Sequence, residues 1–98
     1  MILHTINKSP LSYTNLQTSM RFLKAGDPII LTEDGVYGAS EGTAIAGTIK
    51  EVLKKNPVYA LEADLQARGI TKLIDGVKIV NYEGYVELTE QHNPVSWL

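Results

Sequence analysis

The sequence predicts a single α/β domain over residues 1–98, with a mostly parallel sheet of four to five strands and helices on both faces. Short apolar runs rich in β-branched residues alternate with helical periods four times along the chain, and this order favours parallel strands joined by right-handed crossovers. A chain of 98 residues that is 44% hydrophobic can build one core but not two. No linker, internal repeat or low-complexity segment divides it.

The first predicted strand is Ile2–Ile6, an apolar run that ends at turn-forming residues. A helical period follows it in three apolar side chains, Leu16, Met20 and Leu23. Ser9 or Ser12 would cap the amino end of this helix. Lys24 in its last turn and Gly26 after it indicate its carboxyl end. The segment is predicted to be one amphipathic helix packed on the sheet.

The second predicted strand is Ile29–Leu31, with Pro28 in front of it. Asp34 and Gly35 follow, as expected for a buried strand that ends in a tight turn. Residues Val36–Ser40 are expected to add a short turn of helix.

The remaining elements continue the alternation. A second main helix is indicated by apolar residues at i, i+4, i+7 and i+8, namely Ile45, Ile49, Val52 and Leu53, before a stop at Pro57. The order then predicts a strand, a short helix, a strand and a final helix, at Val58–Leu61, Glu62–Arg68, Val77–Val80 and Glu83–Gln91.

The carboxyl end of the second strand is the predicted functional rim. In open α/β sheets, ligands and partners collect in the crevice outside the carboxyl ends of the strands. The rim consists of Glu33, Asp34, Gly35, Val36 and Tyr37. Adjacent carboxylates at a turn are more often turn formers than an acid and base pair, so they are not interpreted as an active site, and the rim stays the expected place for a ligand or a partner interface.

The sequence offers no self-sufficient active site. It contains no cysteine, which removes disulfides and thiol nucleophiles from the chemistry that this chain can supply. Its glycines match neither G-x-G-x-x-G nor a P-loop, and its serines lack the G-x-S-x-G context. His4 is interpreted as a core histidine and His92 as a residue at a helix end. We therefore expect no metal site and no bound cofactor.

Charge and hydropathy limit the partners. The formal net charge is -2, and the basic residues are scattered except for Lys50, Lys54 and Lys55, which we interpret as cations at a helix carboxyl end. Direct nucleic-acid binding is not expected. No apolar run reaches the about 20 residues of a membrane span. Because Met1–Thr5 has no signal-like pattern, we expect a cytoplasmic protein.

The apolar tail Val95–Leu98 is unusual for a chain terminus. Its tryptophan, Trp97, is predicted to be buried. It would pack either within its own domain or as an anchor at a subunit interface, where tryptophan is enriched.

Five segments together resemble the DsrH/TusB family, and they occur in the same order over almost the whole chain. They are L-H-T-I-N-K-S-P (Leu3–Pro10), E-D-G-V-Y (Glu33–Tyr37), V-Y-A-L-E-A-D-L-Q-A-R-G (Val58–Gly69), the helix Tyr82–Thr89 and the terminal S-W-L. The resemblance implies a fold of the flavodoxin-like, DsrEFH-like type.

The resemblance also implies a function. Chains of this family are subunits of a cytoplasmic sulfur-relay, or sulfurtransferase, complex in which three related chains form a heterohexamer. Its partners would be a DsrE/TusD-like subunit, which carries most of the persulfide sulfur, and a DsrF/TusC-like subunit. We interpret the process as 2-thiolation of the tRNA wobble uridine. The alternative within the family is a DsrH-type subunit of DsrEFH in dissimilatory sulfur oxidation.

Ser19 stands where some members of the Dsr branch carry a cysteine in the first helix. A serine hydroxyl forms no persulfide and is a poor nucleophile without a base. The resemblance therefore implies a non-catalytic, structural role for this chain.

Two readings of other classes remain. A stand-alone flavodoxin-like module would bind a small anionic ligand where the rim meets a helix amino terminus. The hypothesis of an independent hydrolase is supported only by His4, Glu33 and Asp34 as candidate catalytic residues. In isolation the chain is also expected to be able to form a homodimer through apolar surface that a heteromer would cover.

Overall fold

A computed structural model describes residues 2–11 and 14–97, except for the side chains of Asn15 and Trp97. Five strands alternate with helices along these residues. The elements are β1 (Ile2–Ile6), α1 (Asn15–Met20), β2 (Ile29–Leu31), a 3-10 helix (Glu33–Ala39), α2 (Ala46–Leu53), β3 (Val58–Leu61), α3 (Glu62–Ala67), β4 (Lys78–Val80), α4 (Tyr82–Gln91) and β5 (Asn93–Trp97).

The strands form one sheet in the order β4-β3-β2-β1-β5, and every pair in it is parallel. In the register, His4 of β1 lies opposite Ile29 of β2 and Val95 of β5. The α/β class, the parallel sheet and helices on both of its faces are confirmed.

One face of the sheet, here called the near face, carries most of the core. Alternate strand residues point to it, among them Ile6, Leu31 and Val58. Four helical elements cover them with buried side chains, which are Leu16 of α1, Val36 and Ala39 of the 3-10 helix, Ala46, Ile49 and Val52 of α2, and Leu65 of α3. The near face is therefore closed by the chain itself.

The opposite face, here called the far face, is covered by α4. Leu3 and Ile30 of the sheet pack with Leu88 of this helix, and Tyr59, Val80 and Tyr85 lie at the margin of the cluster. None of the helices in the described residues has the length and apolar character to cross a membrane.

Five strands agree with the predicted four to five, but the sequence pattern does not place the fifth, whose residues look like a tail after the final helix. Asn93 and Pro94 look like a stop after the final helix, because proline donates no hydrogen bond to a ladder. The helix does end at Gln91, but the chain then pairs with β1 as an edge strand. An edge strand tolerates proline, since one of its sides needs no partner.

Helix α1 is shorter than predicted. It ends at Met20 rather than near Lys24, and Thr14 occupies its N-cap position. The Ser9 hydroxyl instead accepts the Leu11 amide at 3.3 Å within the preceding loop. The alternative cap, Ser12, lies outside the described residues. Beyond α1 the backbone turns to donate the Gly26 amide to the Lys55 carbonyl at 2.9 Å, which ties this loop to the end of α2.

Candidate functional site

The predicted rim lies at the carboxyl end of β2, but it is not a tight turn. Glu33–Tyr37 form the larger part of the 3-10 helix, which starts directly after the strand. The Gly35 amide donates to the Thr32 carbonyl at 2.8 Å and begins this helix. The expected turn at Asp34 and Gly35 is thus wrong in type, because the chain continues into further helical turns before it leaves the sheet.

Gly35 allows this helix to lie directly on β1. A β-carbon at this position would overlap the carbonyl oxygen of Ile6, which also accepts the Thr32 amide at 3.0 Å. Since both atoms belong to the backbone, no side chain can move aside to make room. The close approach therefore requires glycine.

Glu33 has a left-handed backbone, with φ of +49°. This conformation is costly for a residue with a β-carbon and persists where its surroundings impose it. Here the Asp64 carboxylate of α3 accepts the Glu33 amide at 2.7 Å. A contact from the next crossover thus holds the first residue of the rim.

A second contact joins the rim to α3 through Arg68. Its Nε donates to Asp34 Oδ1 at 2.9 Å, and its Nη1 lies 3.6 Å from Asp64 Oδ1. The Arg68 side chain is 22% exposed, so the pair is partly shielded from solvent. Neither Asp64 nor Arg68 was singled out from the sequence, because their role depends on α3 lying beside the 3-10 helix. The segment V-Y-A-L-E-A-D-L-Q-A-R-G, quoted above for its resemblance, contains both residues.

The five rim residues differ in exposure. Glu33 and Asp34 are exposed, Tyr37 is half-buried, and Gly35 and Val36 are buried. Val36 belongs to the core of the near face. The surface that the rim offers is therefore anionic, with one arginine held among its carboxylates.

Ser19 is fully buried on α1. Its hydroxyl donates to the Leu16 carbonyl at 2.7 Å, one turn earlier in the helix. The Ser19 side chain is therefore closed to solvent. Ser19 acts as a core residue that satisfies its own hydroxyl.

His4 is buried as predicted, and its partner is Asp27. The Nε2 atom lies 3.3 Å from Asp27 Oδ2. The same carboxylate accepts the Lys24 amide at 3.2 Å and the Ile2 amide at 3.4 Å. Burial alone would raise the pKa of Asp27, but the hydrogen bonds from the Lys24 amide, from His4 and from the Ile2 amide outweigh it and lower this pKa below its usual value.

The three residues of the hydrolase reading do not form one site. His4 is paired with Asp27, whereas Asp34 is paired with Arg68. Sequence reasoning does not identify Asp27 as the partner of His4, because the two residues are 23 positions apart and the pairing of β1 with β2 brings them together.

The remaining residues considered in the sequence analysis lie away from the rim or pair with neighbouring groups of the fold. His92 follows α4, with its Nδ1 3.0 Å from the Leu88 carbonyl oxygen. Lys50 pairs with Glu41 at 3.2 Å and Lys54 with Glu51 at 3.0 Å, on exposed surface around α2. The Trp97 backbone pairs with Ile6 in the sheet, but its side chain lies outside the described part of the chain, so its packing stays a prediction.

The hypothesis of a stand-alone module that binds a small anion is disfavoured by the charge of the rim. A small anion would bind near the amino end of the 3-10 helix, where free amides and a positive dipole attract negative charge. The Glu33 and Asp34 side chains already occupy the first turn there. Two carboxylates at this place disfavour a second anion.

Comparison with known proteins identifies relatives along nearly the full length. Residues 8–95 match the family model described as DsrH like protein. Protein TusB of Serratia proteamaculans is 36% identical over an alignment of 100 residues, which covers 98% of this chain and 100% of the relative. Protein TusB of Escherichia coli K12 is 34% identical over 98 residues, with the same coverage of each chain.

Solved structures share the fold. The ychN protein of E. coli superposes with a TM-score of 0.82 at 21% identity, covering 97% of both chains. Protein MTH1491 of Methanobacterium thermoautotrophicum superposes with a TM-score of 0.74 at 19% identity, covering 97% of this chain and 96% of the other. Because the family match spans most of the sequence and the relatives exceed 30% identity over their full length, the chain belongs to the DsrH/TusB family.

Proposed function

We propose that this chain is a non-catalytic subunit of a cytoplasmic sulfur-relay complex that serves 2-thiolation of the tRNA wobble uridine. Its family supports a role in sulfur relay in general, and its similarity to Protein TusB of two bacteria favours the tRNA branch. The chain would join a DsrE/TusD-like and a DsrF/TusC-like subunit in a heterohexamer. It would not bind nucleic acid directly.

The observation that carries the non-catalytic role is the state of Ser19. A persulfide needs a cysteine sulfur, and the sequence contains none. The serine at the matching position is buried, and its hydroxyl is committed to the Leu16 carbonyl. The sulfur must therefore travel on a thiol of another subunit.

The rim supports a role in assembly. Asp64 accepts the Glu33 backbone amide and Arg68 binds the Asp34 carboxylate, so the backbone of Glu33 and the side chain of Asp34 are both held before a partner arrives. A surface that is already ordered loses little conformational entropy on binding. The rim is therefore suited to contact the subunit that carries the persulfide.

Reconstitution with the two related subunits tests the assembly. We expect native mass spectrometry to give one complex with two copies of each chain. Asp34→Lys should weaken that complex, whereas Glu51→Lys, the same charge change on exposed α2, should leave it intact. A wild-type chain that stays folded but binds neither subunit would show that the proposal is wrong.

A transfer assay tests the non-catalytic role. Sulfur transfer from a persulfide-loaded donor through the assembled complex should be the same with Ser19→Ala as with the wild type. Loss of transfer in an intact complex that contains Ser19→Ala would contradict it.

The family alternative is a DsrH-type subunit of DsrEFH in sulfur oxidation, and the match to the DsrH family model favours keeping it. The two branches differ in their product. The chain should restore wobble 2-thiouridine, measured by mass spectrometry of bulk tRNA, in E. coli that lacks its TusB relative. Assembly without restored thiolation would favour the oxidation branch.

A further inference from the structure

Helix α4 carries an exposed surface that the proposed rim contact does not use. We call it the α4 surface and define it by Tyr82, Glu83, Val86, Glu87 and Glu90. Residues three and four apart lie on one side of a helix, so Tyr82 and Val86 form an apolar strip and the three glutamates form an adjacent acidic strip. Tyr82 is 69% exposed and Val86 is 40% exposed.

The apolar strip is held in place by the far-face core. The rings of Tyr82 and Tyr85 meet edge to face, with their centroids 6.0 Å apart, and Tyr85 itself packs against the cluster that contains Leu3, Ile30 and Leu88. The Asn81 side chain accepts the Gly84 amide at 2.8 Å and caps the helix. The exposed tyrosine therefore stands on an ordered support, as anchors of interfaces do.

The acidic strip has no cationic partner among the described residues. Within residues 2–11 and 14–97, Glu83, Glu87 and Glu90 form no ion pair, whereas Glu41, Glu51 and Asp34 each do. The last twenty residues of the sequence contain no lysine or arginine. The preceding basic residue, Lys78, lies over the Tyr59 ring, with Nζ 5.8 Å from its centroid.

We propose that the α4 surface binds a basic, amphipathic surface of a second sulfur-relay subunit, an inference that rests on the proposed function. Apolar side chains of that subunit would cover Tyr82 and Val86, and its lysines or arginines would pair with the glutamate strip. Opposite charge across an interface selects the partner and speeds encounter.

The charge and the position of the surface both argue for this occupant. A second copy of this chain that docked through the same surface would place two glutamate strips together, which is unfavourable. The rim belongs to the near-face side of the sheet and α4 to the far-face side. One subunit can therefore contact different neighbours on its two sides, as a closed assembly of several chains requires.

Binding measurements with matched variants test the proposal. The dissociation constants of the chain for the DsrE/TusD-like and DsrF/TusC-like subunits would be measured by calorimetry at about 50 mM and about 300 mM NaCl, across which screening strengthens. For one of these subunits, Glu87→Lys should weaken binding about tenfold at the lower salt and much less at the higher. The double variant Tyr82→Ser/Val86→Ser should weaken it about tenfold or more at both. Glu51→Lys, on exposed α2, is the control and should change binding less than about twofold.

The outcomes separate this proposal from the proposed function. If the wild type binds neither subunit, the proposed function fails, and this inference fails with it. If the wild type binds while Glu87→Lys and Tyr82→Ser/Val86→Ser bind equally well, only the α4 surface is wrongly assigned. Loss of self-association in the double variant, with subunit binding unchanged, would make the occupant a second copy and overturn the proposal. Circular dichroism melting of each variant verifies that it is folded.

Discussion

The two faces of the sheet are covered to very different degrees. Four helical elements close the near face, where Ile6, Ile29 and Ile49 are fully buried. Among the described residues, α4 is the one helix that covers the far face, and it leaves its own Tyr82 and Val86 exposed. A helix that turns large apolar side chains to solvent has surface left for another molecule. The near face thus carries most of the hydrophobic core, and the far face is the side on which we propose a partner contact.

Polar groups follow the same division. On the near-face side, His4 is paired with Asp27 and Ser19 with the Leu16 carbonyl. On the far-face side, the α4 glutamates stay unpaired among the described residues. Buried polar groups need hydrogen-bond partners within the fold, whereas exposed charges are solvated and stay available to pair with another protein.

The largest expected effect on stability comes from the close contact between the 3-10 helix and β1 at Gly35. Gly35→Ala would place a β-carbon onto the Ile6 carbonyl oxygen. We expect a loss of about 4 kcal/mol or more in the free energy of unfolding, since two backbone segments must separate. Urea unfolding followed by circular dichroism measures it.

Gly47→Ala is the matched control for that variant. Gly47 lies inside α2, and a β-carbon there would meet open space. Because Gly47 lies in the first turn of α2, where helix propensity counts less than at a helix centre, alanine should leave the free energy of unfolding unchanged or raise it by up to about 0.5 kcal/mol. Similar stability of the Gly35 and Gly47 variants would contradict the close approach described here.

Truncation of one core residue on each face compares the faces directly. Ile49 of α2 is fully buried, whereas Leu88 of α4 is 8% exposed within a smaller cluster. We expect Ile49→Ala to cost about 3–4 kcal/mol and Leu88→Ala about 2 kcal/mol in the free energy of unfolding. If Leu88→Ala is the more damaging variant in urea unfolding, the near face does not dominate stability.

The Asp27 carboxylate adds a dependence on pH to the near-face side. Its pKa is lower in the folded protein than in the unfolded chain, so ionised Asp27 stabilises the fold above about pH 4 and loses this effect as pH falls toward the folded pKa. Asp27→Asn should cost about 2 kcal/mol at neutral pH, and this difference should shrink below about pH 4. Urea unfolding at a series of pH values measures it, and a constant difference from neutral to acid pH would show that the lowered pKa contributes nothing.

The elements that were predicted correctly are those that neighbouring residues specify. The strands β1 to β4 and the helix α2 could be predicted because the spacing of apolar residues and the turn residues beside them specify each element locally. Strand β5 was missed because Pro94 forbids a central strand but not an edge strand, and only the sheet order shows which it is. The place of the rim followed from parallel topology, but its 3-10 geometry depends on Ile6 approaching Gly35. Asp27 and Arg68 act across 23 and 34 positions, and spacing within a sequence does not report such pairs.

The smallest expected effect concerns whether α4 opens to solvent independently of the rest of the domain. Because one helix covers the far face, we expect its amides to exchange with solvent through a local opening, faster and with weaker denaturant dependence than the amides of α2. Asn81→Ala removes the cap on the Gly84 amide and should cost about 1 kcal/mol, which speeds α4 exchange about fivefold. Asn81→Asp retains an acceptor oxygen and should leave exchange nearly unchanged. Equal exchange rates for α4 and α2 in the wild type would mean that both faces open only together, and the far face would then be part of one cooperative core.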